Sequence, residues 1–442
     1  NWNALDQLTQ VTDPEGVATQ YTYNAFGEVL TETSADAGTI RYARDANGRV
    51  IRQTDARGIN TTITRDALGR PTHISRGANH QTTYTWDTQR AGYLARVEDK
   101  SGSIEYQRDQ QGRITVRTQT VNDNPANPAR FITRYGYQQG ELAAITYPSG
   151  LKVLYQRDAT GQIVGIDTQA PGQAQTPFIT NLKHTALGQP KAWNWRNGGR
   201  ASRTFDTDGR MVGNEFASYI YDAASRITGI TQHLWATSTA TGTVTTYTTP
   251  LSWSVEYDSR NRITGFRRDG AETRYTYDAN SNRLTAIDKT TSDMDLDGDF
   301  DEADFQKTTR QNLNIGEDSN RLLGFSQTLS QVRGTRTISV ATTNVNYTLD
   351  AAGNLSSDGL RTFRYDAANR MDRVRILKDG EAANIDYLHN ALGQRVFKSE
   401  PEAQRTLPNR APVNAGFIAV PKTNFGWRCQ QQATTRIGTA FD

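Results

Sequence analysis

Seven carboxylates crowd into twelve residues, Asp293-Met294-Asp295-Leu296-Asp297-Gly298-Asp299-Phe300-Asp301-Glu302-Ala303-Asp304. Left alone, such a run repels itself; a hard cation wanting roughly six to eight oxygens relieves it. The spacing suits Ca²⁺: Asp293, Asp295 and Asp297 at positions 1, 3 and 5, with Gly298 at 6 for the sharp turn. The backbone carbonyl of Asp299 serves at position 7, Asp301 at 9 and Asp304 at 12. The predicted site is a structural Ca²⁺ held by Asp293, Asp295, Asp297, Asp299, Asp301 and Asp304, pinning an inserted loop over 288–310. The alternative is a solvated acidic loop.

The spacing resembles the EF-hand loop, and that resemblance implies an apolar residue at position 8, where Phe300 stands. Position 12 is Asp304 rather than Glu, a shorter side chain for bidentate binding, as dockerin-like bacterial loops often have. The flanking helices of a full EF-hand are not evident. Ala303-Asp304-Phe305-Gln306-Lys307 reads as at most one short helix, and Lys289-Thr290-Thr291-Ser292 is a poor incoming one.

Other chemistry is sparse. Of the five histidines, His73, His80, His184, His233 and His389, none forms a ligand-spaced pair. No nucleophile elbow and no phosphate-binding Gly-rich loop is present. The sole Cys429 excludes an internal disulfide and any Cys-based zinc site. The chain reads as non-enzymatic, because a periodic sequence gives no position a role that its sister copies lack.

That periodicity organises the 442 residues. Tyr21-Thr22-Tyr23-Asn24-Ala25-Phe26-Gly27 aligns with Tyr42-Ala43-Arg44-Asp45-Ala46-Asn47-Gly48 and with Ile63-Thr64-Arg65-Asp66-Ala67-Leu68-Gly69. The acidic or amide position falls at 24, 45, 66 and 87, a step of 21, and recurs with slips to Asp366 and Asn390. The consensus is Y-x-Y-D-x-x-G-R followed by an apolar residue. Tyr at i and i+2 places two rings on one face of an extended chain. Asp three residues before Gly is turn chemistry. A second turn, such as Asp13-Pro14-Glu15-Gly16 or Asp55-Ala56-Arg57-Gly58, lies half a period away. Each repeat is therefore predicted to be one β-hairpin, and the chain an all-β antiparallel meander.

Composition agrees. Only 35% of residues are hydrophobic, too few for a solid core of this size. Laid side by side, more than about 30 strands would twist and curl, so the ribbon is predicted to wind around a wide, partly wet interior. No segment approaches the run of about 18 apolar residues that a membrane-spanning helix needs. A net charge of +3 argues against a dedicated nucleic-acid binder. Yet 41 of the 50 cations are Arg. Because Arg49, Arg70, Arg210, Arg226, Arg262 and others recur just after a turn Asp, the predicted role is a repeated Asp–Arg or Arg–aromatic contact.

Repeats such as Tyr275-Thr276-Tyr277-Asp278 with Asn282-Arg283-Leu284, and Phe363-Arg364-Tyr365-Asp366-Ala367-Ala368-Asn369-Arg370, resemble the YD or RHS (rearrangement hotspot) repeat. The resemblance covers residues 1 to about 400. The family includes bacterial RHS proteins, wall-associated toxins, the shell subunits of insecticidal toxin complexes, and teneurins. It implies a spiral of β-hairpins forming a hollow shell around cargo, commonly a C-terminal toxin or effector segment. The expected organisation is a β-shell over 1–400 and an irregular, non-repeat segment over 401–442. Bacterial members often close the shell with a core carrying D-P-x-G motifs; here Asp13-Pro14-Glu15-Gly16 is the only one, in an ordinary turn, so self-cleavage is not carried over.

The expected function is a non-catalytic scaffold, secreted or at the cell surface, enclosing or presenting a toxin in bacterial competition. Asn1-Trp2-Asn3-Ala4 carries no initiator Met or leader, so the sequence reads as a segment of something longer. An adhesion or carbohydrate-binding module contacting a surface receptor or glycan, and a structural filament component, are the alternatives.

Overall fold

The structure is a computed structural model that describes residues 1–238, 245–268, 270–292, 294, 304–378, 381–399 and 436–437. Among these residues lie 36 β-strands and no helix, in sheets of 18, 11 and 7 strands. Strands pair antiparallel with their neighbours in sequence, as in Tyr21↔Glu32, Thr62↔Ser75 and Tyr275↔Ala286. The all-β hairpin meander expected from the repeat is the fold observed.

The repeat turn explains its own consensus. Asp66 Oδ1 accepts the backbone N–H groups of Leu68 (3.0 Å) and Arg70 (2.9 Å), while Gly69 N–H donates to the Asp66 carbonyl (2.9 Å). Gly69 has φ +83°, the left-handed region that costs a side chain energy. Where the template lacks Gly, Ser225, Asn261, Ser281 and Asn369 adopt the same sign of φ. A bulge recurs just before the turn Asp, between Ala43 and Arg44, Thr64 and Arg65, Ile220 and Tyr221, Glu256 and Tyr257, and Arg364 and Tyr365. Each bulge adds right-handed twist to its hairpin.

Two turns per 21-residue period leave strands of about six or seven residues, and several strands are much longer. The strands Ile227–Ser238, Thr245–Tyr257, Leu322–Arg333 and Arg336–Asn346 run to 11–13 residues. The inserted stretches between weak repeat copies extend the ladder instead of looping out of it.

The described residues contain little apolar core. Buried hydrophobic side chains are few, with one small cluster of Val121, Val396 and Phe397 backed by Phe131 and Leu388. Strands such as Asn60–Arg65 alternate exposed and half-buried positions along their length. The chain divides into two compact units, one of Asn1–Val11, Ala18–Tyr135 and Tyr347–Asp442, the other of Thr12–Val17 and Gly136–Asn346.

Candidate functional site

Two arrangements stand out among the directed interactions of the described residues. The first is the arginine that follows each turn. Asp222 Oδ2 receives the Arg226 guanidinium, and the same Arg226 lies over the Tyr257 ring at 4.8 Å from its centroid. Arg226 also donates to Asn261 Oδ1 (2.8 Å), in the next turn. Arg210 and Arg262 repeat the pattern with Tyr221 and Tyr277. The Tyr just before each turn Asp donates its hydroxyl to the return strand before it: Tyr221 to Met211 O, Tyr257 to Ile227 O and Tyr277 to Ile263 O, at 2.7–2.8 Å. Both contacts predicted for the Arg excess are present, in the same side chain. The Arg226 side chain and backbone N–H hold the Asp222 carboxyl below its usual range.

The second arrangement is a seam between segments far apart in sequence. In the first unit, Arg57 donates to the Asp366 carbonyl (3.0 Å) across 309 residues. Arg370 reaches His80 Nε2 (3.1 Å), its own turn's Asp366 Oδ2 (3.2 Å) and the Asn390 carbonyl (2.7 Å). Asn390 in turn donates to Gln119 Oε1 at 3.3 Å. His80, Asp366, Asn390 and Gln119 are all buried. In the other unit, Asn280 and Asn320 both donate to Asp13 Oδ2 (2.7 and 2.9 Å), and Ala279 N–H donates to Glu15 Oε1 (2.6 Å). The Asp13-Pro14-Glu15-Gly16 turn is thus an ordinary turn, as expected, that also receives two later turns of the chain.

The seam's electrostatics follow from burial. Burial pushes the His80 imidazole down from its ordinary 6.5, and the nearby Asp366 only partly offsets this. Burial also pushes His389 down, with Arg370 adding to the effect. At Asp366, burial favours the neutral acid, but the N–H and charge of Arg370 outweigh it and hold the carboxyl low. His80 Nε2 accepts from Arg370, so the neutral ring places its Nδ1 proton toward Asp366 Oδ2, 3.7 Å away.

Acid should therefore loosen this seam. A folded-state pKa below the unfolded one means that the native form binds fewer protons, so the contribution of His80 and His389 is complete above about 6.5 and falls as pH is lowered through that value. The Asp366 contribution is lost only further down, below about 3.8. The melting temperature is expected to drop between about pH 7 and pH 5, and His80→Gln, which keeps an acceptor for Arg370, to flatten that limb. An unchanged profile in His80→Gln would assign the titration elsewhere.

The predicted metal ligands fall mostly outside this description. Asp293, Asp295, Asp297, Asp299 and Asp301 lie outside the described residues, as does residue 303 of the suggested short helix. Asp304 is fully buried, its Oδ1 accepting the Met294 N–H at 2.7 Å and its carbonyl the Gly334 N–H at 3.1 Å. Phe305, Gln306 and Lys307 open the strand Phe305–Ile315, and Lys289–Ser292 close the strand Arg283–Ser292. Ser292 pairs with Phe305, so the acidic stretch connects two paired strands. Of the residues suggested for a short exit helix, Phe305, Gln306 and Lys307 are strand, because the ladder beside them satisfies their backbone groups.

Sequence reading did not find the seam. Arg57, Gln119, Asn280 and Asn320 occupy positions that vary between copies, and nothing local tells a variable turn residue from one that meets another part of the chain.

Comparison with known proteins adds to this geometry. The family profile described as RHS Repeat matches residues 2–39 and 44–81. No curated protein sequence matches the chain. Among solved structures, the crystal structure of TcdB2-TccC3 aligns with 91% of the chain at TM-score 0.62 and 15% identity. The Tc holotoxin pore of Photorhabdus luminescens aligns equally well, again at 15% identity. The chain spans 22% and 21% of the length of those two chains. The likeness is one of fold.

Proposed function

We propose that this chain, whose residues 2–39 and 44–81 match the RHS Repeat profile, is an RHS (YD) repeat protein and a non-catalytic wall segment of a larger protein that encloses a C-terminal toxin or effector. The reading places that protein outside the cell, secreted or on the surface. The observation that carries it is the manner of long-range packing. Residues some 300 positions apart meet turn to turn, Arg57 on Asp366 in one unit and Asp13 on Asn320 in the other. Strands joined edge to edge leave both faces of a sheet free, which suits a wall and not a solid core. The matched toxin-complex structures support the same reading by their fold. The test is limited proteolysis of the full-length protein. The C-terminal segment should survive protease that degrades it when expressed alone, and equal cleavage rates would overturn the enclosure.

The acidic stretch is proposed to hold a structural Ca²⁺ through Asp293, Asp295, Asp297, Asp299, Asp301 and Asp304. Its support is an all-oxygen donor set between paired strand ends, with the one described ligand, Asp304, fully buried. Ca²⁺ at about a hundred times its dissociation constant would stabilise the native state by about 2.7 kcal/mol. Chelation should lower the melting temperature without unfolding the hairpin ladder. A melt unmoved by Ca²⁺ in the native chain and in Asp297→Ala alike would remove the site.

A further inference from the structure

The glycine place of the repeat turn, three residues after the Asp, is filled by Ser225, Asn261, Ser281 and Asn369 at φ of +62°, +64°, +74° and +63°. Glycine adopts such a φ freely, Asn tolerates it, and Ser is strained by it. All four residues are exposed, so packing does not account for them.

Each of the four is met by the turn before it. Arg210 donates to Ser225 Oγ (3.0 Å), Arg226 to Asn261 Oδ1 (2.8 Å), Arg262 to Ser281 Oγ (3.3 Å) and Asn354 to Asn369 Oδ1 (2.6 Å). Every donor stands four residues after its own turn Asp and is bonded to it as well, at Asp206, Asp222, Asp258 and Asp350. At three glycine copies the same side chain lies over the place. A Cβ built on Gly27 would stand 3.1 Å from Gln7 Nε2, one on Gly69 3.3 Å from Arg49 Nη1, and one on Gly48 would collide with the Glu28 carboxylate. At Gly161 and Gly188 that space is open.

We propose that Ser225, Asn261, Ser281 and Asn369 are inter-turn clamps, each held in the left-handed conformation because its side-chain oxygen there takes the donor of the preceding turn. Strain within one turn is offset by a bond between two. Three such pairs follow one another from Arg210 to Ser281. Asn282 carries the line on to Asn320 Oδ1 (2.7 Å), and Asn320 donates to Asp13 Oδ2 (2.9 Å), all within one unit. Successive hairpins are thus tied at their turns, besides the backbone ladder, as far as the contact with Asp13.

A left-handed residue other than glycine ordinarily gains stability when replaced by Gly; a clamp reverses that sign. In thermal unfolding of the 442-residue chain, Asn261→Gly is expected to lower the midpoint by about 2 °C, because a bond to a charged donor is lost. Gln139→Gly, at φ +52° and without a bond from a preceding turn, is expected to raise it. Arg226→Met removes the donor, and in that background Asn261→Gly should raise the midpoint as well. Arg226→Met also breaks the Asp222 pair, so the measurement is the sign of the second substitution within each background. If Arg226→Met does not fold, Asn354→Ala with Asn369→Gly supplies the same cycle in the other unit. An Asn261→Gly chain as stable as the native one or more so, or a midpoint lowered equally in both backgrounds, would overturn the proposal.

Discussion

Asp366→Ala is expected to destabilise the first unit by about 3–5 kcal/mol, the cost of stripping one partner from a buried charge pair. Asp366 does two jobs at once. Its Oδ1 accepts the N–H groups of Ala368 (2.9 Å) and Arg370 (3.0 Å), which builds the turn. Its Oδ2 faces the Arg370 guanidinium (3.2 Å) and His80 (3.7 Å), which joins that turn to a strand 290 residues away in sequence. Alanine removes both roles and leaves the half-buried Arg370 without its carboxylate. Asp66, half-buried in an equivalent turn with its own Arg70, supplies the control, since Asp66→Ala loses the turn and that ion pair but no contact to a distant segment. Asp366→Asn should fall between them, because an amide keeps the Oδ1 acceptor and loses the charge. Denaturant unfolding of the three variants makes the comparison. If Asp366→Ala cost no more than Asp66→Ala, the seam would contribute nothing to stability.

Gly102→Ala is expected to cost upwards of about 3 kcal/mol, beyond the ordinary penalty of about 1 kcal/mol for a left-handed residue. Gly102 has φ +132°, and a Cβ built there would stand 2.0 Å from the Thr120 carbonyl oxygen and 2.7 Å from its carbon. The obstacle is backbone held in register, Gly102↔Val121 and Ser103↔Thr120, so no side-chain rotation can relieve it. The neighbouring Ser101 and Ser103 are buried as well, which leaves the strand little room to retreat. Gly324 repeats the geometry at φ +144°, with the Val345 oxygen 2.2 Å from the missing Cβ. Gly16 isolates the conformational part, since its φ of +88° comes with open space around the Cβ position. Thermal unfolding should therefore rank Gly102→Ala and Gly324→Ala well above Gly16→Ala. Equal losses would mean that the ladder yields easily at Gly102 and that only backbone conformation matters there.

The amino-acid sequence by itself determined the hairpin unit. Asp and Gly three residues apart, the paired Tyr residues and the following Arg satisfy one another within a single repeat or its next neighbour, so each copy states its own local structure. The same locality made the Arg excess legible, down to its Asp and aromatic partners. The flanks of the acidic stretch were less legible. Lys289–Ser292 and Phe305–Lys307 are strand because neighbouring strands pair with them, a fact outside their own sequence. What only the tertiary structure decided is which copies touch. Asp13 meets Asn320 in one unit, and Arg57 meets Asp366, His80 meets Arg370 and Asn390 meets Gln119 in the other, through contacts between turns about 270 to 310 residues apart. A repeat writes the same local instructions at every turn, and no copy records which distant copy it will meet.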